Sequence, residues 1–196
     1  QSRSSAASDV YKRQDFDKGR TVLEEAYQAF VEIKNLESKQ DEINKKLEER
    51  TDYESDSYLD LITELGDVTD RYELIGGYNY QGQTEKILNG LGFKSEDFHK
   101  KTDTFSGGWR MRIELAKLLL QNNDLLLLDE PFANLDQNLT EKVQINLKEI
   151  LKEAGMTSII VTHDKYEAFY LADYCGILLD KKMVPVSYTH LRAHET

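Results

Sequence analysis

Between Thr21 and Arg50 the apolar or permissive positions Ala29, Ile33, Leu36, Gln40, Ile43 and Leu47 recur at steps of four and three, which lines them along one helical face. The pattern predicts one long amphipathic helix. After a polar break over 51–57, Tyr58, Ile62, Leu65, Tyr72 and Ile75 resume helical spacing until Gly76-Gly77 stops it. Two such stretches joined by a short break predict an antiparallel helical pair. Farther along, Arg110 to Leu120 keeps a helical period with few β-branched residues. Leu125 to Leu128 is then a continuous apolar run, as expected of a parallel strand buried on both faces. Ser158 to Val161 reads as a second strand, Lys165 to Ala172 as a helix, and Cys175 to Leu179 as a third strand. Alternating strands and helices predict an α/β core with a parallel sheet.

Composition narrows the class. In a chain of 196 residues, 39% hydrophobic side chains suffice for the core of one domain or of one domain with an appendage. The 36 acidic against 25 basic residues give a net charge of -11, which excludes a module that grips bare nucleic-acid backbone by bulk electrostatics. Residues 15–104 hold 22 acidic and 12 basic side chains, so nearly all the excess lies there. That step separates a charged α-helical subdomain, 15–104, from a compact core, 105–183. Whether the acidic pair is a solvated surface or a docking surface stays open. Cys175 is the only cysteine and cannot form an internal disulfide, and no stretch approaches the roughly 20 apolar residues of a membrane span. The expected location is cytoplasmic.

Both ends differ from the rest. Residues 1–14 are Ser/Ala/Arg-rich without a signal-peptide core, and residues 184–196 break the preceding pattern. Both resemble translated adaptor read-through, so they are expected to be foreign, disordered scars, with the natural protein continuing beyond them. His190 and His194 stand at zinc-binding helical spacing, but with no further ligand pattern nearby they read as tail residues.

The candidate chemistry falls at the ends of the core elements. Ser106-Gly107-Gly108 opens a helix: the serine is a cap candidate, the glycines admit close approach to the backbone, and unpaired N–H groups favour phosphate oxygens. Alone, such a turn is most often a simple cap. Asp129 and Glu130, however, fall at the carboxyl end of the leucine strand, where ligands bind in open α/β sheets. Adjacent carboxylates there are costly unless they face a metal ion or a polarised water. Pro131 ends the strand, and Asp136, after Asn134-Leu135, is placed to cap the next helix. His163 follows the second strand and lands on the same edge, where an imidazole can bond a phosphate oxygen.

In order and spacing, Phe105-Ser-Gly-Gly-Trp109, Leu125-Leu-Leu-Leu-Asp-Glu-Pro131, Asn134-Leu-Asp136 and Val161-Thr-His-Asp164 resemble the signature motif, Walker B motif, D-loop and H-loop of an ATP-binding cassette (ABC) ATPase. The resemblance implies a truncated P-loop NTPase core carrying an α-helical subdomain, with ATP and Mg²⁺ as ligands. It implies that Asp129 holds Mg²⁺, Glu130 orients and deprotonates the attacking water, and His163 contacts the γ-phosphate. Phe105, Ser106, Gly107, Gly108 and Trp109 would face ATP held by a second cassette, and Asn134 and Asp136 would lie at that interface.

Up to about Glu130 the chain resembles the ABC-F subgroup, the soluble twin-cassette proteins that act on ribosomes. Trp109 in place of the usual glutamine, the Arg110-Met111-Arg112 after it and the charged helical pair carry that likeness. From Pro131-Phe-Ala-Asn-Leu-Asp136 through Val161-Thr-His-Asp-Lys-Tyr-Glu-Ala168, it resembles instead the ATP-binding subunit of an importer of the iron or polyamine type. The two halves meet in Leu125 to Pro131, a string both subfamilies share, as in an assembly chimera. The leading expectation for the parent is an ABC-F translation factor partnered by the ribosome. The alternative is an importer subunit on a membrane permease, peripheral to the inner membrane. No Gly-x-x-x-x-Gly-Lys-Ser/Thr loop occurs, so the backbone cradle, its lysine and its Mg²⁺-binding hydroxyl are expected upstream of Gln1. The literal chain reads as an inactive fragment. Gln14, at the scar junction, resembles the Q-loop glutamine.

Overall fold

The computed structural model describes residues 19–121, 123–132 and 137–186; of 137–139 and 186 only the backbone is described. Helix α1 (Val22–Ala26) opens with a reciprocal cap. Thr21 Oγ1 accepts from the Glu24 N–H at 3.3 Å, and the Glu24 carboxylate accepts from the Thr21 N–H at 2.8 Å. The Val22 and Leu23 N–H groups donate to the carbonyls of Lys100 and Phe98, stitching this end to the segment that precedes Phe105.

The single helix expected over Thr21–Arg50 is broken. After α1 comes a 3₁₀ turn, Tyr27–Ala29, and the chain restarts as α2 (Val31–Glu48) beyond Phe30, whose φ of −105° and ψ of 53° are not helical. The break lets the Phe30 ring reach Tyr80, 5.2 Å between centroids, in an apolar cluster with Ile33 and Tyr72. The contact of this half-buried ring with the cluster compensates for the interrupted helical hydrogen bonding.

Helix α3 (Asp56–Leu74), capped by Ser55 at the Tyr58 N–H, runs antiparallel to α2. Glu32 meets Arg71 at 2.7 Å, Gln40 donates to Thr69 at 3.1 Å and Lys39 meets Glu64 at 2.7 Å. The α2 seam is the expected one, with Ile33 and Ile43 buried and Leu36, Gln40 and Leu47 half-buried. On α3 the seam is Tyr58, Leu61, Leu65, Val68, Tyr72 and Ile75. Ile62, expected within it, is exposed because it lies about 100° round the helix from Leu61. Gly76, with φ of +80°, turns the chain out of α3.

Helix α4 (Tyr80–Gly90) and two 3₁₀ turns lead to α5 (Gly107–Leu120). Then follow β1 (Leu125–Asp129), α6 (Gln137–Glu153), β2 (Thr157–Val161), α7 (Lys165–Leu171), β3 (Cys175–Leu179) and β4 (Lys182–Val186). The main core joins Leu126 and Leu128 of β1 to Ile113, Ala116 and Leu119 of α5 and to Val143, Leu147 and Leu151 of α6. Leu88, Leu91 and Val22 extend it under α4 and α1.

Strands β1 and β2 pair in parallel, from Leu125 opposite Thr157 to Asp129 opposite Val161. The leucine run is not buried on both faces as expected. Leu126 and Leu128 are covered by α5 and α6, while Leu125 and Leu127 are 56% and 66% exposed beside the open side chains of Ile159 and Val161. No other described element lies over that face. Nor does the third strand extend the parallel sheet: β3 turns at Asp180 and Lys181, with φ of 48° and 64°, and pairs antiparallel with β4. Positive φ at both central residues is the hairpin turn that matches strand twist. Strand β4 also takes in Val184 to Val186, three residues expected to belong to a disordered tail. The class remains α/β, with two parallel strands rather than three.

Candidate functional site

The parallel register sets the first half of the site. Asp129 stands opposite Val161, so Glu130 and the turn Thr162 to Asp164 leave the sheet at the same edge. The Glu130 N–H donates to the Val161 carbonyl at 2.8 Å. Its backbone has φ of +48°, a left-handed conformation that costs a non-glycine residue about 1–2 kcal/mol. The strained backbone aims the carboxylate at His163. Glu130 Oε1 accepts from the His163 backbone N–H at 2.9 Å and lies 2.7 Å from His163 Nδ1. The hydrogen bond to Glu130, then its charge, push the His163 pKa above the ordinary histidine value, although the ring is largely in solvent.

The turn that carries His163 is braced from behind. Thr162 Oγ1 donates to Glu167 Oε2 at 2.6 Å and accepts from the Asp164 N–H at 3.0 Å, while Asp164 caps α7 by accepting from the Tyr166 N–H. Glu167 is itself buried. Sequence reasoning did not single out this brace, although Thr162 and Glu167 flank His163 closely enough to have suggested it. Asp129 is exposed at the strand end. Among the described residues no three His, Cys, Asp or Glu side chains form a metal cage. A Mg²⁺ carried in by phosphate oxygens needs only one or two carboxylates, and Asp129 suits that demand.

The second half is the start of α5. Ser106 occupies the N-cap position with φ of −65° and ψ of 165°, but its hydroxyl makes no capping bond, contrary to expectation. The turn is held by its flanks instead: the rings of Phe105 and Trp109 pack on Phe93 at 5.8 and 4.8 Å between centroids. The Ser106 hydroxyl is therefore left toward solvent, its carbonyl accepting the first helical bond from the Arg110 N–H at 3.0 Å. A side chain built on Gly107 would meet nothing within 4 Å, so the N-terminus of α5 is open. Its first-turn N–H groups have no intrahelical acceptors and face incoming anions with the positive end of the helix dipole.

Arg112, quoted in the sequence only as part of Arg-Met-Arg, proves to be built into this turn. It is 2% exposed, its guanidinium carbon lies 3.4 Å from the centre of the Trp109 ring, and Nη1 donates to the Leu91 carbonyl at 3.0 Å. The i, i+3 spacing from Trp109 was the signal that could have found it. Gln14, Asn134, Asp136, His190 and His194 lie outside the described residues or, for side chains, outside what is described.

Acidic and imidazole groups at the carboxyl ends of parallel strands, and an open glycine turn heading α5, occupy the kinds of place where α/β folds hold phosphate ligands. The family model described as ABC transporter matches residues 4–133, about two thirds of the chain, beginning inside the segment expected to be foreign. The chain belongs to the ABC transporter family, whose members are generally ATPases. It is 33% identical over 169 residues to ABC transporter F family member 2 of Arabidopsis thaliana, covering 84% of this chain and 23% of that protein. It is 39% identical over 99 residues to the spermidine/putrescine import ATP-binding protein PotA of Mycoplasmopsis synoviae, covering 50% of this chain and 21% of that one. The chain thus spans less than a quarter of these relatives. A dimeric bacterial ABC transporter cassette, MJ0796, is 29% identical with a TM-score of 0.41, covering 46% of this chain and 39% of that one. Among the described residues no helix is long and apolar enough to cross a membrane.

Proposed function

We propose that this chain is the signature-and-Walker-B part of a cassette that hydrolyses ATP at an interface between two cassettes, within an ABC-F ribosome-associated translation factor. The observation that carries the hydrolytic reading is the Glu130–His163 contact at the carboxyl edge of β1 and β2. A carboxylate held by a backbone N–H and an imidazole is oriented to accept a proton from water, which general-base catalysis requires. In this reading His163, whose pKa Glu130 raises, would contact the γ-phosphate as negative charge develops there. Asp129 would hold Mg²⁺, which when bound neutralises phosphate charge. Ser106 and Gly107 offer an exposed hydroxyl and N–H at the helix start, with the buried Gly108 behind them, a geometry suited to phosphate brought by a second cassette. In this reading Asn134 and Asp136 would complete that interface, and Gln14 would reach the Mg²⁺ and water.

The phosphate loop is absent from the sequence, so the chain supplies only part of one site. Alone it is expected to bind ATP feebly and turn it over negligibly. The ABC-F assignment draws support from relatives aligned over 84% of the chain, from Trp109 and from the helical hairpin. A second reading, an importer ATP-binding subunit on a membrane permease, draws support from import relatives. They reach 39% to 44% identity over about half of the chain or less. A chimera joined within Leu125 to Pro131 accommodates both, and reads spanning codons 120–140 of the source DNA test it by joining the halves or failing to. In a cassette rebuilt with its phosphate loop, Glu130→Gln is expected to keep ATP binding and lower hydrolysis by about two orders of magnitude or more. Hydrolysis at the parental rate would remove Glu130 from the base role.

A further inference from the structure

Arg112 is an expensive residue in its setting. Its side chain is sealed from solvent, no acidic group pairs with it among the described residues, and its Nε has no hydrogen-bond partner. A buried guanidinium without a carboxylate carries a desolvation penalty that a methionine of similar length would avoid. What it gains is geometric. One face stacks on the Trp109 indole at 3.4 Å, Phe93 flanks it at 5.8 Å, and Nη1 reaches the Leu91 carbonyl just past the C-terminus of α4. That carbonyl sits at the negative end of the α4 dipole, where a cation is favoured. Trp109 is the third residue of α5 and stands directly after Gly107 and Gly108.

We propose that Arg112 is a positioning residue that pins the first turn of α5 to the C-terminal end of α4, holding Trp109 and thereby the Gly107–Gly108 N–H groups at a fixed height and direction. The proposal rests on the reading of that turn as a phosphate-facing element. Arg112 touches no ligand itself and acts through Trp109. The planar guanidinium matters for this role, because only a flat cation can cover the indole face and reach the carbonyl in the same pose.

Trp109 is the only tryptophan in the chain, so tryptophan fluorescence reports the surroundings of this one indole. The test compares the full chain with Arg112→Lys and Arg112→Met, without nucleotide, so that its outcome is separate from any failure of the ATP reading. In both variants Trp109 emission should shift to the red and become more accessible to acrylamide. Hydrogen exchange of the Arg110 N–H, which reads the first helical bond to Ser106, should rise about tenfold or more while exchange at Leu118 to Leu120 stays at the parental rate. If lysine restores the parental emission and exchange, charge alone suffices and the stacking argument falls. Uniformly faster exchange along α5, unchanged Trp109 signals, or failure of both variants to fold would each make Arg112 a core residue and overturn the proposal.

Discussion

The root of the helical hairpin offers a clean measurement in Tyr80→Phe. Tyr80 is 2% exposed, and its hydroxyl accepts from Lys34 Nζ at 2.9 Å and donates to Glu37 Oε1 at 3.0 Å. Glu37 also accepts from the Tyr72 hydroxyl at 3.1 Å and pairs with Lys34 at 2.8 Å. Phenylalanine keeps the ring contacts with Tyr27 and Phe30, each 5.2 Å between centroids, so packing is held constant. Hydrogen bonds to charged groups contribute about 1.5–3 kcal/mol each. Lys34 and Glu37 are partly exposed and keep each other, which leaves neither orphaned and scales the loss to about 1–2 kcal/mol. For a chain of this size that lowers the melting temperature by roughly 2–8 °C. Glu37→Gln, combined with Tyr80→Phe in a double-mutant cycle followed by circular dichroism, should show a coupling of at least about 0.5 kcal/mol. The pH dependence carries its own sign. Burial pulls the Lys34 pKa down, but its bonds to Glu37 and Tyr80 prevail and push it to about 12; burial, then the bond to Glu37, push Tyr72 to about 12. Both values are raised on folding, so this stabilisation is complete below about pH 10 and fades as the pH climbs toward 12. Tyr80→Phe within about 0.3 kcal/mol of the parent, or additive with Glu37→Gln, would refute the network.

The two faces of β1 should respond differently to the same chemistry: Leu126→Ser, inside the core, is expected to cost about 3 kcal/mol or more, whereas Leu127→Ser, 66% exposed, should change stability by less than about 0.5 kcal/mol in chemical denaturation. His163 should titrate by NMR above the ordinary histidine range and fall toward it in Glu130→Gln; because its pKa is raised on folding, its contribution is present below the unfolded value and lost as pH rises through the folded one.

What could be read from the sequence was what periodicity and strand ends dictate. Apolar steps of three and four found the α2 seam, and two strand ends in one register put Glu130 beside His163. The break at Phe30 left no such mark, because Tyr27, Ala29 and Phe30 continue a helical apolar pattern and no Gly or Pro interrupts it. Ile62 fits the sequence pattern although Leu61 takes the seam, because a stripe of i, i+4 and a stripe of i, i+3 are equally helical until the partner helix decides between them. Cys175 to Leu179 read as a parallel strand because its turn is Asp180-Lys181, which lacks the glycine that advertises a hairpin. The four leucines of β1 could not show that only one of their faces has a neighbour, since burial depends on what lies across the sheet. Ser106 misled in the other direction: a serine before a helix is usually a cap, and here aromatic packing does that work.

The Lys34–Glu37–Tyr80 cluster sits where two arms of similar length meet. Beyond Glu37, α2 runs 11 residues to Glu48, about 16 Å at 1.5 Å per residue, and α4 runs 11 residues from Tyr80 to Gly90, about 16 Å, ending beside the Leu91 carbonyl that holds Arg112. A tilt of about 10° at that junction would carry the far end of either arm by roughly 3 Å. The hydroxyl and ammonium contacts of this cluster therefore help set the angle between the hairpin and α4, and any change in that angle is largest at the ends farthest from it.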